Sequence, residues 1–233
     1  MRQIILDTET TGLEISQDHR IIEIGCVELI DRRITDNHWH HYLNPDREIE
    51  AGAFEVHGIS NESLKDKPRF RDVAQDFINY IEGAELVIHN APFDVGFLNH
   101  EFSKLEGEPS SIERYCTVLD TLVMARQKHP GQKNNLDALC KRYEINNSQR
   151  SLHGALLDAQ ILAEVYLFMT GGQTALILDE SQVESGYKAQ IERLGAIKRD
   201  GPLPIWSGSA ASEQAHREYL EFIQQQGSEA VWK

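Results

Sequence analysis

Covalent cross-links and positive charge are both scarce in this chain. Three cysteines occur in 233 residues, at positions 26, 116 and 140. An odd count without motif spacing leaves no disulfide framework to read and points to reduced, structural thiols in a cytosolic protein, set within predicted strands or a helix. Lys and Arg number 23 against 37 Asp and Glu, a net charge of −14. That balance argues against a broad basic groove able to grip a polyanion unaided. No run of about 18 apolar residues marks a membrane span, and the first predicted strand begins at the N-terminus with no signal peptide before it. Internal repeats and low-complexity tracts are also absent.

The remaining composition suits one α/β domain. With 40% hydrophobic and 26% charged residues, the chain can bury a substantial core and still leave a tail. Extended segments near residues 2–7, 20–30 and 34–43 read as a meander. Strands near 85–89 and 115–119 then alternate with helices, the pattern of a mixed five-stranded sheet flanked by helices. The last core helix is expected to run to about Met169, where Gly171 and Gly172 end it.

Three short clusters carry the chemistry. Asp7 and Glu9 close the apolar run Ile4-Ile5-Leu6, a buried strand on which residues two apart share a face, so both carboxylates can reach one metal ion. Thr10-Thr11-Gly12 reads as a turn that lets backbone amides approach a substrate. An acidic pair at a strand end also suits a plain solvated turn. Asp94 belongs to His89-Asn90-Ala91-Pro92-Phe93-Asp94, after the short apolar strand Leu86-Val87-Ile88. Pro92 fits a first helical turn, and Phe93, Phe97, Leu98 and Phe102 recur at helical spacing. Asp94 therefore lies near a helix N-terminus, where an acid can equally serve the helix dipole alone, and Phe93 can equally be core.

His153 and Asp158 open the apolar helix of residues 155–166. On one continuous helix they would stand about 140° apart, so His153 belongs on the loop before it. There the imidazole can swing toward an attacking water while Asp158 holds a metal; a capping or surface histidine is the plain alternative. Four acids and one histidine are the inventory of a two-metal phosphodiesterase: carboxylates to hold divalent cations roughly 3.5–4 Å apart, and one group to accept the water's proton.

In this order and context the clusters resemble the DEDD exonucleases of the ribonuclease H-like fold, in the subgroup whose third motif is His-x4-Asp. The segments Val56-His57-Gly58-Ile59, Asn135-Leu136-Asp137-Ala138-Leu139-Cys140 and Leu152-His153-Gly154-Ala155-Leu156-Leu157-Asp158-Ala159-Gln160 are further similar to the family of proofreading epsilon subunits of bacterial DNA polymerase III. The likeness spans almost the whole chain. It implies that Asp7, Glu9 and Asp158 bind two catalytic divalent ions, with Asp94 completing the set directly or through water. It also implies that His153 is the general base in releasing 5′-nucleoside monophosphates from a 3′ end. Hard carboxylate ligands favour Mg2+ or Mn2+ over zinc. His38-Trp39-His40-His41 offers no zinc cage, because alternation on a strand splits its histidines between two faces. The resemblance places Asp7, Glu9, Thr10, Val56, His57, Phe93 and Asp158 against the terminal nucleotide, with Val56 and His57 following a loop at residues 49–54; core packing is the other reading of Val56. Gly52 stands where the family can carry a substrate-contacting acid, and Glu50 is not assigned that role.

Beyond Gly172 the character changes, which divides the chain into an exonuclease domain (1–172), a linker (173–204) and a C-terminal segment (205–233). Gln173-Thr174-Ala175-Leu176-Ile177-Leu178 is polar, then apolar, and Gly201-Pro202-Leu203-Pro204 is a breaker cluster. The resemblance makes Gln173, Leu176 and Leu178 a sliding-clamp-binding motif. Ser212 is a plausible N-cap for a short amphipathic helix with Ala215, Tyr219, Phe222 and Ile223 on one face, Gly227 as its stop, and Trp206 and Trp232 on either side. A helix too short to be stable alone, flanked by aromatic anchors, suits docking onto a partner, which the resemblance makes the polymerase alpha subunit. Packing back onto the domain is the alternative for both segments, and a plain linker is a further one for residues 173–178.

The expectation is therefore a proofreading 3′–5′ exonuclease of the bacterial cytoplasm, acting on a single-stranded or frayed 3′ DNA end. A theta-like small subunit is a further partner that the sequence permits. A freestanding RNA-trimming exonuclease would share all five residues, since the 2′-OH is read by local shape. A non-catalytic scaffold between polymerase and clamp would not need the complete set.

Overall fold

Alternation and helical periodicity resolve into a sheet covered on both faces. The computed structural model describes residues 1–105, 111–148, 152–171 and 210–225. Strands β1 (Arg2–Thr10), β2 (Ile21–Ile30) and β3 (Arg33–Tyr42) form an antiparallel meander. Strands β4 (Glu85–Ile88) and β5 (Thr117–Asp120) add in parallel, giving the order β3-β2-β1-β4-β5. This is the expected mixed five-stranded sheet. Ile4, Ile5 and Leu6 of central β1 are all fully buried, because a strand covered on both faces carries a continuous apolar run instead of an alternating one.

The helices of this unit are α1 (Ala51–His57), α2 (Asn61–Leu64), α3 (Phe70–Ile81), α4 (Ala91–Ser103), α5 (Thr121–Lys128), α6 (Leu136–Tyr143) and α7 (Ala155–Thr170). On one face of the sheet, Ile4, Leu6 and Ile24 pack with Phe77 of α3 and Phe97 and Phe102 of α4. On the other, Ile5, Val27 and Val87 pack with Leu139 of α6 and Leu162 and Val165 of α7. Helix α7 runs to Thr170, one residue beyond Met169, and Gly171 ends it as expected, its N–H bonded to the Leu167 carbonyl.

Several expectations shift in detail. Residues 49–54 are not all loop: Ala51–His57 is helical with Glu50 as N-cap, and Gly58 at φ 70° ends it. Strand β1 runs through Thr10, which pairs with Ile21 past a register shift, so the turn begins at Thr11. Cys116 sits just before β5, while Cys26 lies in β2 and Cys140 in α6; all three are free and buried. The histidine cluster on β3 does alternate: Trp39 packs against Phe77, and His40 points the other way, to Glu23.

The chain divides into two units, Met1–Ala175 and Leu176–Lys233. In the second, α8 (Ala210–Gln225) leaves Tyr219 and Phe222 exposed. It begins before Ser212, which therefore lies in the first turn and is not the N-cap. Gln173, Leu176, Leu178, Trp206, Gly227, Trp232 and the Ile223 side chain lie outside the described residues. Among the described residues, no helix is long and apolar enough to cross a membrane.

Candidate active site

The end of β1 sends side chains to both sides of the sheet. Asp7 and Glu9 share the face of Ile5, toward α7, and Thr8 shares the face of Leu6, toward α4. The Thr8 hydroxyl donates to Asp94 Oδ1 at 2.7 Å in a buried hydrogen bond. Asp94 is in the first turn of α4, where sequence spacing put it, with Pro92 beside it and Asn90 as a left-handed N-cap at φ 68°.

Asp158 occupies the first turn of α7 and is buried. His153 is on the loop before that helix, as expected, with Nδ1 3.1 Å from Asp158 Oδ2. Its own N–H donates to the Val56 carbonyl at 3.1 Å, which ties the loop to α1. Donor atoms of Glu9, His153 and Asp158 lie within 4.8 Å of one another. Asp7 and Asp94 line the same cavity of about 730 Å³, so the three clusters converge on one place.

Burial pushes the Asp94 carboxyl up to about 7, against the Thr8 hydrogen bond that favours its ionised form. A buried acid among three others is relieved by a bound cation or by a proton. Oxygen donors from four carboxylates with a single imidazole fit a hard divalent ion.

A second cavity of about 280 Å³ adjoins the first. Thr8, Glu9, Leu13 and Phe93 line both, and Thr10, Glu50, Val56 and His57 belong to the second. Val56 is 47% exposed, so it is a wall of this cavity and not core. His57 is buried, with Nδ1 accepting the Ile59 N–H at 2.9 Å, and burial lowers its pKa below the ordinary histidine value. Gly52 has open space above it. Glu50 pairs with the buried His19, whose Nε2 is 3.1 Å from Glu50 Oε1 and whose Nδ1 is 2.9 Å from the Thr11 hydroxyl.

Residues 4–166 match the exonuclease family of the RNase_T type. Over 239 residues the chain is 50% identical to the DNA polymerase III subunit epsilon of Salmonella typhimurium, covering 100% of this chain and 97% of that one. It is 52% identical over 242 residues to the same subunit of Haemophilus influenzae, covering 99% and 94%. The chain belongs to the epsilon-subunit family of exonucleases. Among solved structures, exonuclease X in complex with 5′ overhanging duplex DNA is similar at 31% identity and a TM-score of 0.56, over 72% of this chain and 91% of that one.

Three residues that position the epsilon-type site escaped the sequence reading. Thr8 was hidden between the two acids. Glu23 lies opposite Glu9 in the β1–β2 register and is buried; one oxygen accepts the Ala155 N–H at 3.1 Å and the other meets His40 Nε2 at 2.7 Å. Gly154, the N-cap of α7, makes no side-chain cap, so Glu23 satisfies an orphan amide of that helix from β2. Gly25, opposite Asp7, has the α7 backbone directly over it: a Cβ there would fall 2.2 Å from Leu156 N. A glycine inside a strand was the one visible signal, since it often marks close approach of another backbone.

Proposed function

We propose that this chain is the 3′–5′ proofreading exonuclease subunit of a bacterial DNA polymerase III, removing mismatched 3′-terminal nucleotides as 5′-mononucleotides. The convergence of Asp7, Glu9, Asp94, His153 and Asp158 on one cavity carries the reading. Asp7, Glu9 and Asp158, with Asp94 completing the set, would hold two Mg2+ or Mn2+ ions. Bound there, the ions supply positive charge where negative charge grows in the transition state. His153 accepts the proton of the attacking water. Asp158 facing Nδ1 orients the ring and leaves Nε2 as the basic nitrogen. The Thr8 hydrogen bond fixes the Asp94 carboxyl in the cavity wall.

The terminal nucleoside enters the smaller cavity against Thr10, Val56, His57 and Phe93. Mismatch selectivity comes from fraying, because an unpaired 3′ end costs less to deliver as a single strand than a paired one. Exposed Tyr219 and Phe222 on α8, together with Ile223, Trp206 and Trp232, suit docking on the polymerase alpha subunit. Gln173, Leu176 and Leu178 are assigned to the sliding clamp. A theta-like subunit is compatible with this role, which belongs in the bacterial cytoplasm.

The test is Mg2+-dependent degradation of 5′-labelled single-stranded DNA and RNA of one sequence, by wild type and His153→Ala. Stepwise 3′ shortening of DNA that the substitution abolishes supports the reading. Preference for RNA, or no hydrolysis of either, overturns it.

A further inference from the structure

The two cavities meet along the residues they share, Thr8, Glu9, Leu13 and Phe93, so they form one continuous path over the acids. With the terminal nucleoside in the smaller cavity and the scissile phosphate over the acids, the rest of the strand leaves through the larger one. Its far wall is Leu122 and Arg126 of α5 with Gln132, Asn134 and Asn135 before α6. Leu122 and Arg126 are four residues apart and share a helix face.

We infer that Arg126 binds a backbone phosphate of the DNA strand upstream of the scissile one. This rests on the exonuclease reading above. Four carboxylates line the cavity, and Arg126 is the one Lys or Arg among the described residues of its lining. It is exposed, and no described residue forms an ion pair with it, so its guanidinium is not consumed by the acids it overlooks. The wall that carries it is built. Asp120 caps α5 by accepting the Leu122 N–H at 2.8 Å and also accepts the Asn90 N–H at 3.2 Å. His89 joins Thr121 at 2.9 Å. Asn134, buried, donates to the His129 and Gln132 carbonyls at 3.2 and 3.0 Å. A rigid helix thus presents a planar, permanently charged fork, the geometry that suits phosphate. In a chain of net charge −14, one placed cation supplies what a basic groove would otherwise provide.

The experiment compares wild type, Arg126→Ala and Arg126→Lys on two substrates: a single-stranded oligothymidylate, and p-nitrophenyl thymidine 5′-phosphate, which has one phosphodiester and nothing upstream. Arg126→Ala is expected to lose about tenfold more in kcat/KM on the oligonucleotide than on the small ester, chiefly through KM. It should also flatten the dependence of log KM on log salt by roughly one charge, with Arg126→Lys recovering much of both. Replacing upstream phosphates one at a time by neutral methylphosphonate identifies the partner: one position weakens wild type and adds nothing to the loss in Arg126→Ala. Equal losses on the two substrates, or an unchanged salt slope, would overturn the assignment and leave Arg126 as a last-turn residue serving the α5 dipole. Wild-type inactivity on both substrates would instead remove the exonuclease reading itself.

Discussion

Substituting Gly25 by alanine tests how tightly the sheet positions the catalytic helix. The added Cβ would meet Leu156 N at 2.2 Å, the Ala155 carbonyl carbon at 2.3 Å and Leu156 Cα at 2.4 Å, where ordinary contact begins near 3.4 Å. All three atoms are backbone in the first turn of α7, so no side-chain rotation relieves the overlap. The helix start and β2 must separate by roughly 1 Å, and a misplacement of that size costs on the order of 100-fold in rate. Asp158 moves with α7, while Asp7 and Glu9 stay on β1. Overpacking of this kind costs about 1–3 kcal/mol of stability, which leaves a folded protein to assay. The expected result is a Gly25→Ala enzyme with kcat/KM on single-stranded DNA down about 100-fold and a higher Mg2+ midpoint, folded in the same assay by its thermal transition. Near-wild-type activity at an unchanged Mg2+ midpoint would refute the idea that β2 sets the distance between the two halves of the site.

Further outcomes follow from the same contacts. Glu23→Ala leaves the Ala155 amide without its acceptor and should cost about 1–3 kcal/mol and lower kcat, whereas Glu23→Gln, which keeps an acceptor oxygen, should recover much of both; equal defects in urea unfolding and turnover would count against a capping role. Glu101 is 1% exposed and accepts from Arg20 at 2.7 and 2.6 Å and from the Ile21 N–H at 3.2 Å. Glu101→Ala should therefore destabilise by about 3–5 kcal/mol, and a negligible change in urea midpoint would show the pair to be screened. In metal-free protein, burial raises the Asp94 carboxyl to about 7. Its contribution to stability is thus complete below about pH 4, the unfolded value, and is lost as pH rises through 7. Thermal melts in EDTA should show this loss between about pH 4 and pH 7 in wild type but not in Asp94→Asn, and a parallel fall in both proteins would remove the assignment.

What could be read from the sequence was local. The run Ile4-Ile5-Leu6 announced a buried strand, and the two-residue spacing of Asp7 and Glu9 placed both carboxylates on one face. Pro92 and the phenylalanine periodicity put Asp94 in a first helical turn, and the angular argument took His153 off α7. The structure bears each of these out. What could not be read depended on partners distant in the chain. Helix α1 is short, contains Gly52 and lacks a side-chain cap; its start is held by the Glu50 N–H bonded to the Thr11 carbonyl at 3.0 Å, a contact no local pattern reports. Glu23 on a strand reads as an ordinary acid until its neighbours, 17 and 132 residues away, are brought beside it. Val56 stayed open between core and cavity wall because exposure depends on what α1 packs against.

The charge balance of the site bears on how proofreading stays selective. A nuclease that captured single strands through a basic groove would bind any 3′ end with an affinity set by salt and not by pairing. Here the acids of the cavity repel a polyanion until divalent ions neutralise them, and Arg126 is the one Lys or Arg among the described residues of its lining. On this reading intrinsic affinity for a strand is low, and attachment to a polymerase would offset it by raising the local concentration of the end into the mM range. Under that arrangement the step that discriminates is separation of the terminal base pair, which happens before the strand reaches the exonuclease. A variant that added lysines around the cavity would bind single strands more tightly and lose selectivity, cutting paired ends at a rate closer to that for mismatched ones.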